Sequence, residues 1–236
     1  MKHVIHHFLP STNAVDFPLK ALAFLSSLAL TATFASAAVS APAAAPVPEE
    51  DQAKIEFTDG QAETAIELVH RLESRHYSKR VFDDELSSMM LDNYLRSLDP
   101  GHMFLLQEDV DEFEAYRFLL DDQLNSGNLE AGFVIFNRYQ ERIEARLERL
   151  LEELPEMVAG MDYSIDEELT LDAEKRAWAK SPAEADERWR KQIKNSALSL
   201  KLAGKESDEI EPTLSKRYEN QRHRITQYNE QDVFQV

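Results

Sequence analysis

Between Asn128 and Pro155 the apolar residues Phe133, Phe136, Ile143, Leu147, Leu150 and Leu154 recur at intervals of three, four and seven. Winding into a helix brings such a stripe to one face, because about 3.6 residues per turn align those positions, whereas a strand scatters them over both sides. Asn128 can cap the helix and Pro155 lacks the N–H needed to prolong it, so the spacing predicts one long helix between them. At about 100° per residue, Arg138, Arg142, Arg146 and Arg149 fall on one flank of the stripe, and Glu141, Glu144, Glu148 and Glu152 on the other. Like charges four apart cost an isolated helix about 0.2–0.5 kcal/mol each. Opposed flanks suit a helix whose neighbours offer complementary charge, whether in a partner surface or along the ordinary solvated border of a bundle helix. The border is the commoner use.

The same period organises the rest of the chain. Ala62, Ala65, Ile66, Val69 and Leu72 mark a first helix ending near Tyr77. Asp83 can cap a second, with Leu86, Met90, Tyr94 and Leu98 inside and Pro100 just past its end. Val110, Phe113, Leu120 and Leu124 suggest a third, stopped at Ser126-Gly127. An irregular acidic stretch runs from Gly160 to roughly Lys180. Ser181-Pro182-Ala183-Glu184 then starts a helix, with Ser181 as cap, Pro182 in the first turn and Glu184 closing a capping box. Trp189, Ile193, Ala197 and Leu200 face inward there, and the helix ends near Gly204. A last helix carries Leu214, Tyr218, Ile225 and Tyr228, with Pro212 fitting best in its first turn. The expected fold is all-α, a multi-helix domain of about six amphipathic helices.

Composition agrees and removes whole classes of function. The 6 glycines are too few for the turns of a sheet-rich fold and form no phosphate-cradling pattern, so a P-loop or dinucleotide fingerprint is excluded. No cysteine is present, which excludes disulfides, thiolate metal sites, a cysteine nucleophile and a lipid-attachment cysteine. The 44 acids against 26 bases leave a formal charge of −18, which repels phosphate backbones and anionic lipids; nucleic acid and membrane surfaces are not expected partners. A hydrophobic fraction of 43% suffices for a packed core.

The N-terminus reads as an address. Lys20 precedes the apolar run Ala21–Leu30, and Ala35-Ser36-Ala37 offers the small residues a signal peptidase needs. The run is too short for a good membrane span, and export accounts for it better than a buried N-terminal helix. Residues 1–37 are therefore expected to be a signal peptide and 38–54 an Ala/Pro-rich linker, with the folded domain at 55–236. Cleavage near Ala37 removes Lys2, Asp16 and Lys20, leaving no membrane attachment and one more net negative charge.

Chemical motifs are sparse. Glu67-Leu68-Val69-His70 and Glu73-Ser74-Arg75-His76 have the Glu-x-x-His form of di-iron bundles. That chemistry needs the motifs on two converging helices; here one helix carries both, and His70 and His76 point about 240° apart. There is no nucleophile elbow, and His102 and His223 lack a serine partner near in sequence. Asp99-Pro100-Gly101-His102 reads as a turn. No catalytic, cofactor-binding or metal-ligating residue is assigned.

At that turn a resemblance enters. Tyr94-Leu95-Arg96-Ser97-Leu98-Asp99-Pro100-Gly101-His102, then Phe104-Leu105, Asp109-Val110 and Phe113, resemble the N-terminal domain of tail-specific proteases, the carboxy-terminal processing peptidases. Gly127-Asn128-Leu129, Phe136-Asn137-Arg138-Tyr139, Arg142 and Trp178 continue the match in order. Glu184, Trp189, Lys194, Leu198–Leu202, Lys216-Arg217-Tyr218 and Glu230–Gln235 complete it, so the likeness runs from about Ile55 to Val236.

The resemblance implies a periplasmic protein whose helical domain leads into a PDZ domain and a serine peptidase domain with a Ser–Lys dyad. Such enzymes degrade envelope proteins with apolar C-terminal tails. Segments matching the PDZ domain and the dyad are expected beyond Val236, so no catalytic residue carries over. The implied partners are those peptidase domains, protein substrates and a periplasmic adaptor. The principal reading is a non-catalytic N-terminal domain standing as a fragment. A free-standing periplasmic helical binding module and a metal-dependent helical-bundle enzyme are the alternatives.

Overall fold

A computed structural model describes residues 54–75, 83–170, 172 and 175–236. The expected signal peptide, all but the last residue of the linker, the end of the first helix near Tyr77, and His76 lie outside them. Among the described residues the fold is all-α, with eight α-helices and no strand.

α5 (Glu130–Ala159) is the spine, about 45 Å long at 1.5 Å per residue. Its C-terminal half buries Ile143, Leu147, Leu150 and Leu154 against Trp189, Ile193 and Ala197 of α6 (Pro182–Leu202) and Ile210, Leu214, Tyr218 and Ile225 of α7 (Ser207–Ile225). Its N-terminal half buries Phe133, Ile135 and Phe136 against Leu91, Leu95 and Leu98 of α2 (Asp84–Leu98). Leu105 joins this second core, with Val110 and Phe113 of α3 (Gln107–Phe113) and Val233 of α8 (Glu230–Phe234). Tyr139 packs on both cores, so one helix stripe organises two hydrophobic centres. α4 (Leu120–Ser126) packs on α2 and on α1 (Asp59–Arg75).

Several caps follow from side-chain chemistry. Asp83 accepts from the Leu86 N–H at 3.0 Å. Ser181 accepts from the Glu184 N–H at 3.2 Å, while the Glu184 carboxylate reaches back to the Lys180 N–H at 2.9 Å, one residue earlier than an ordinary capping box. Val233 is brought in by a reciprocal box between Asn229 and Asp232, on a short helix that periodicity did not suggest.

Four boundaries differ from expectation. α5 begins at Glu130, because Asn128 turns its side chain to the Glu130 N–H at 2.9 Å instead of capping the third residue of a helix. It also runs through Pro155 to Ala159. Pro155 is exposed, so the carbonyl it cannot bond can reach water, and the extra turn packs Met157 and Val158 on the first core. α7 likewise starts at Ser207, five residues before Pro212, which is exposed; the early start lets Ile210 reach the core at 3% exposure. α7 ends at Ile225, leaving Tyr228 beyond it, edge-on to Phe136 with centroids 5.5 Å apart.

The expected third helix is broken. α3 passes into a short 3-10 turn at Glu114–Tyr116, and α4 begins only at Leu120. Arg117 holds the break, donating to Ser88 Oγ at 2.8 Å and Asp92 at 2.9 Å and pairing with Glu114. Ser87, fully buried, accepts the Leu120 N–H at 2.9 Å. Side chains of α2 thus satisfy the new helix start, which no local pattern could announce.

Candidate functional site

The turn after α2 is densely hydrogen-bonded. Asp99 is 2% exposed, and its carboxylate accepts from the N–H groups of Met103 at 2.9 Å, Phe104 at 2.8 Å and Leu105 at 3.0 Å. Pro100 stops the helix, and His102 takes a left-handed φ of 49° that lets the chain double back over the carboxylate. The carbonyls exposed by the turn are then collected from a distance. Arg176 donates to Gly101 O at 2.5 Å, Arg188 to His102 O at 2.6 Å and Trp189 Nε1 to Met103 O at 2.8 Å. The His102 ring lies on Trp178, centroids 3.7 Å apart, with Nδ1 hydrogen-bonded to the Arg176 carbonyl. Burial and the nearby Arg188 push the Arg176 guanidinium below its ordinary value, while Asp99 pulls it up. The turn therefore ties α2, the segment before α6 and α6 itself into one unit.

The arginine flank of α5 has a matching explanation. Asp109 of α3 is fully buried and meets two of its members, Arg138 Nη1 at 2.8 Å and Arg142 Nε at 2.9 Å, while also accepting the Leu106 N–H at 2.9 Å. Burial pushes the Asp109 carboxyl up, but the bonds from Arg142, the Leu106 N–H and Arg138 together hold it below the ordinary carboxylate value. Further along, Arg146 and Arg149 both donate to Asp186 of α6, the second at 2.7 Å. The four arginines thus face carboxylates of α3 and α6, whereas Glu141, Glu148 and Glu152 on the other flank are exposed. The border reading of the stripe holds for the arginines, with the refinement that the neighbours supplying the charge belong to the same chain.

Over the irregular segment, Arg190 and Lys194 of α6 hold the Glu167 carboxyl down to about 2. Leu106 and Ala179 form an isolated parallel bridge, with the Gln107 N–H on Ala179 O at 2.8 Å. This segment is therefore a strap laid against α3 and α6.

The histidine motifs do not converge among the described residues. His70 is exposed, and Glu67 pairs with Arg71 on the surface. His102 is engaged in the turn, and His223 contacts Gln227 one helical turn away. No three metal-ligating side chains gather among the described residues.

Sequence reasoning also missed an open apolar groove of about 790 Å³. α1 contributes Leu68 and Leu72, α2 Leu86 and Met90, α4 Gln123 and Leu124, and α8 Phe234, with Phe133 of α5 among the deeper lining residues. Tyr94 lies in it too, its hydroxyl on Gly132 O at 3.0 Å and its pKa pushed up by burial. Leu68 is 54% exposed and Leu72 39%, so the inner stripe of α1 is only partly covered. The one sequence signal was the run of apolar residues on α1 broader than a single contact face: Ala65, Ile66, Leu68, Val69 and Leu72.

Two comparisons bear on this arrangement. The sequence signature of the family described as "Tail specific protease N-terminal domain" matches residues 68–236. A curated tail-specific protease of Haemophilus influenzae is 35% identical over 167 residues, which are 70% of this chain and 24% of that relative. The chain thus aligns to about a quarter of the relative's length. The matched region contains α2 to α8, including the Asp99 turn, the arginine–carboxylate pairs and the strap. The chain belongs to the family of tail-specific protease N-terminal domains.

Proposed function

We propose that this chain serves as the N-terminal helical domain of an exported, periplasmic tail-specific serine peptidase, and that it frames the peptidase and docks protein substrates or an adaptor without bond-breaking chemistry of its own. The observation that carries the reading is the family match over residues 68–236, set beside a relative of which the aligned part is 24%. In this reading residues 1–37 direct export, 38–54 form a linker and 55–236 are the domain. The PDZ domain and the Ser–Lys dyad are supplied by the other part of the enzyme. A rigid frame suits that task, and the Asp99 turn together with the Asp109–arginine pairs gives this one many long-range polar ties.

The test is reconstitution. The chain is mixed with the Haemophilus influenzae relative from which the matching region has been removed, and degradation of a protein with an apolar C-terminal tail is followed. The mixture should regain cleavage, and the chain alone should cleave nothing. A chain that neither binds the remainder nor restores turnover, or that cleaves by itself, refutes the reading. N-terminal sequencing of the periplasmic product tests export separately, and an intact Met1 there counts against the signal peptide.

A second reading, a free-standing helical binding module, draws on the two well-buried cores, which tie α2 to α8 together without help from another domain. It requires a cooperative, monodisperse unfolding transition of the chain on its own.

A further inference from the structure

The extended segment ahead of α1 is held by partners far away in sequence. Ile55 and Phe57 pack on the second core while Lys54, Glu56 and Thr58 are exposed, the alternation of an extended chain. Asn137 of α5 closes on Ile55 with both ends of its amide, Oδ1 accepting the Ile55 N–H at 3.0 Å and Nδ2 donating to Ile55 O at 2.9 Å. The Phe57 ring lies tilted against Phe133, centroids 5.7 Å apart. Thr58 and Gln61 then start α1 with a reciprocal capping box. Thr58 Oγ1 accepts the Gln61 N–H at 3.3 Å, and Gln61 Oε1 accepts the Thr58 N–H at 2.9 Å.

The same glutamine reaches α8. Gln61 is 6% exposed, and its Nε2 donates at 2.9 Å to the carbonyl of Glu230, the first residue of α8. A helix of five residues is not stable by itself and depends on what it packs against. α8 buries Val233, in the same core on which Ile55 and Phe57 pack. The Gln61 amide is thus committed at both ends, to the start of α1 and to the start of α8, and a shift of either helix start strains a bond of the other. α8 lies inside the family match at residues 68–236, and the segment that bonds it lies ahead of that match.

We infer that residues 55–61 form a clasp on α8, so that seating or releasing this N-terminal segment sets whether the chain past Phe234 is fixed or free. Gln61 makes the direct tie, and Asn137 and Phe133 act through it by keeping Ile55 and Phe57 on α5. Lifting those two residues off α5 draws the donor away from Glu230 O and removes neighbours from the core that holds Val233. Such coupling is reciprocal, so loosening α8 loosens the segment in turn. The inference goes beyond the peptidase reading and does not rest on it.

The experiment is amide hydrogen exchange of the 236-residue chain, read by mass spectrometry on its peptides. Gln61→Met keeps the length of the side chain and removes both amide groups. Asn137→Ala frees Ile55 and leaves the Gln61 side chain in place. Either variant should speed exchange over residues 230–236 about five- to ten-fold, the change that one buried hydrogen bond makes in a local opening equilibrium. The C-terminal half of α5, with α6 and α7, should keep its wild-type rates. The reverse variant, Asn229→Ala with Asp232→Ala, removes the box that starts α8 and should speed exchange over residues 55–61. Unchanged exchange over 230–236 in either forward variant, or over 55–61 in the reverse one, overturns the proposal. So does equal acceleration throughout α5, α6 and α7, which would mark a general loss of stability instead of a clasp. Exchange is read on the chain alone, so its failure leaves the peptidase reading to stand or fall on reconstitution.

Discussion

Removing the Asp99 carboxylate is the sharpest test of how this domain is held together. Three backbone N–H groups, those of Met103, Phe104 and Leu105, donate to it at 2.8–3.0 Å. Leu105 is 1% exposed, so in Asp99→Ala its N–H finds neither protein nor water and costs about 2 kcal/mol. Met103 and Phe104 are half-buried and lose about 1 kcal/mol each, for a total near 4 kcal/mol. Asp99→Asn is milder. Its amide oxygen can take the position of Oδ2 and keep the bonds to Phe104 and Leu105, while its NH2 opposes the Met103 N–H, a loss of about 2 kcal/mol. For a folded part of this size, 1 kcal/mol shifts the melting midpoint by about 2–4 °C, so Asp99→Ala should melt about 12 °C lower. Urea unfolding followed by far-UV circular dichroism measures both variants. A loss below about 1 kcal/mol in Asp99→Ala, or equal losses in the two variants, refutes the acceptor count.

Further predictions concern other ties of the fold. Asp109→Asn leaves Arg138 and Arg142 without their buried charge and should cost about 2–3 kcal/mol near neutral pH. The folded Asp109 pKa is depressed, so its contribution is complete above the unfolded value of about 3.9 and is lost as pH falls through the lower folded value. The gap between wild type and Asp109→Asn in urea midpoint should therefore close below about pH 4, and a gap independent of pH contradicts the assignment. Gly127 has φ 75°, and an added Cβ would stand 2.9 Å from Ile66 Cδ1 and 3.1 Å from Ala62 O. Gly127→Ala should thus cost about 2 kcal/mol and speed amide exchange in α1, measured by mass spectrometry. Trp189→Phe keeps an aromatic ring in the core but removes the indole N–H that reaches Met103 O, and calorimetry should show a loss of at least about 1–2 kcal/mol.

Legibility followed the range of the forces involved. The α5 stripe could be read because its period is a property of one helix, and every residue quoted for it that fills the cores lies where the 3.6 period puts it. Caps at Asp83 and Ser181 could be read for the same reason, since donor and acceptor lie three residues apart. The break between α3 and α4 could not. Its cause is Ser87 and Ser88 of α2, some thirty residues upstream, which bond Leu120 and Arg117. Both prolines were read as boundaries, and both sit inside helices, because the burial of Met157, Val158 and Ile210 outweighs one missing hydrogen bond. At Asp99 the turn was visible, but the buried carboxylate on which it closes was not.

The sequence by itself determined that the chain is helical, acidic and poor in glycine and cysteine, and its ordered motifs pointed to the family that the comparisons then identified. These are properties of composition and of spacing within a few residues, which local backbone geometry translates directly. Tertiary structure alone decided who meets the arginine flank of α5, that one aspartate gathers three backbone N–H groups, and that α1 and α2 stand apart to leave an apolar groove. Those outcomes depend on residues brought together across tens of positions by burial of two cores, and no local period encodes which distant carboxylate or helix arrives.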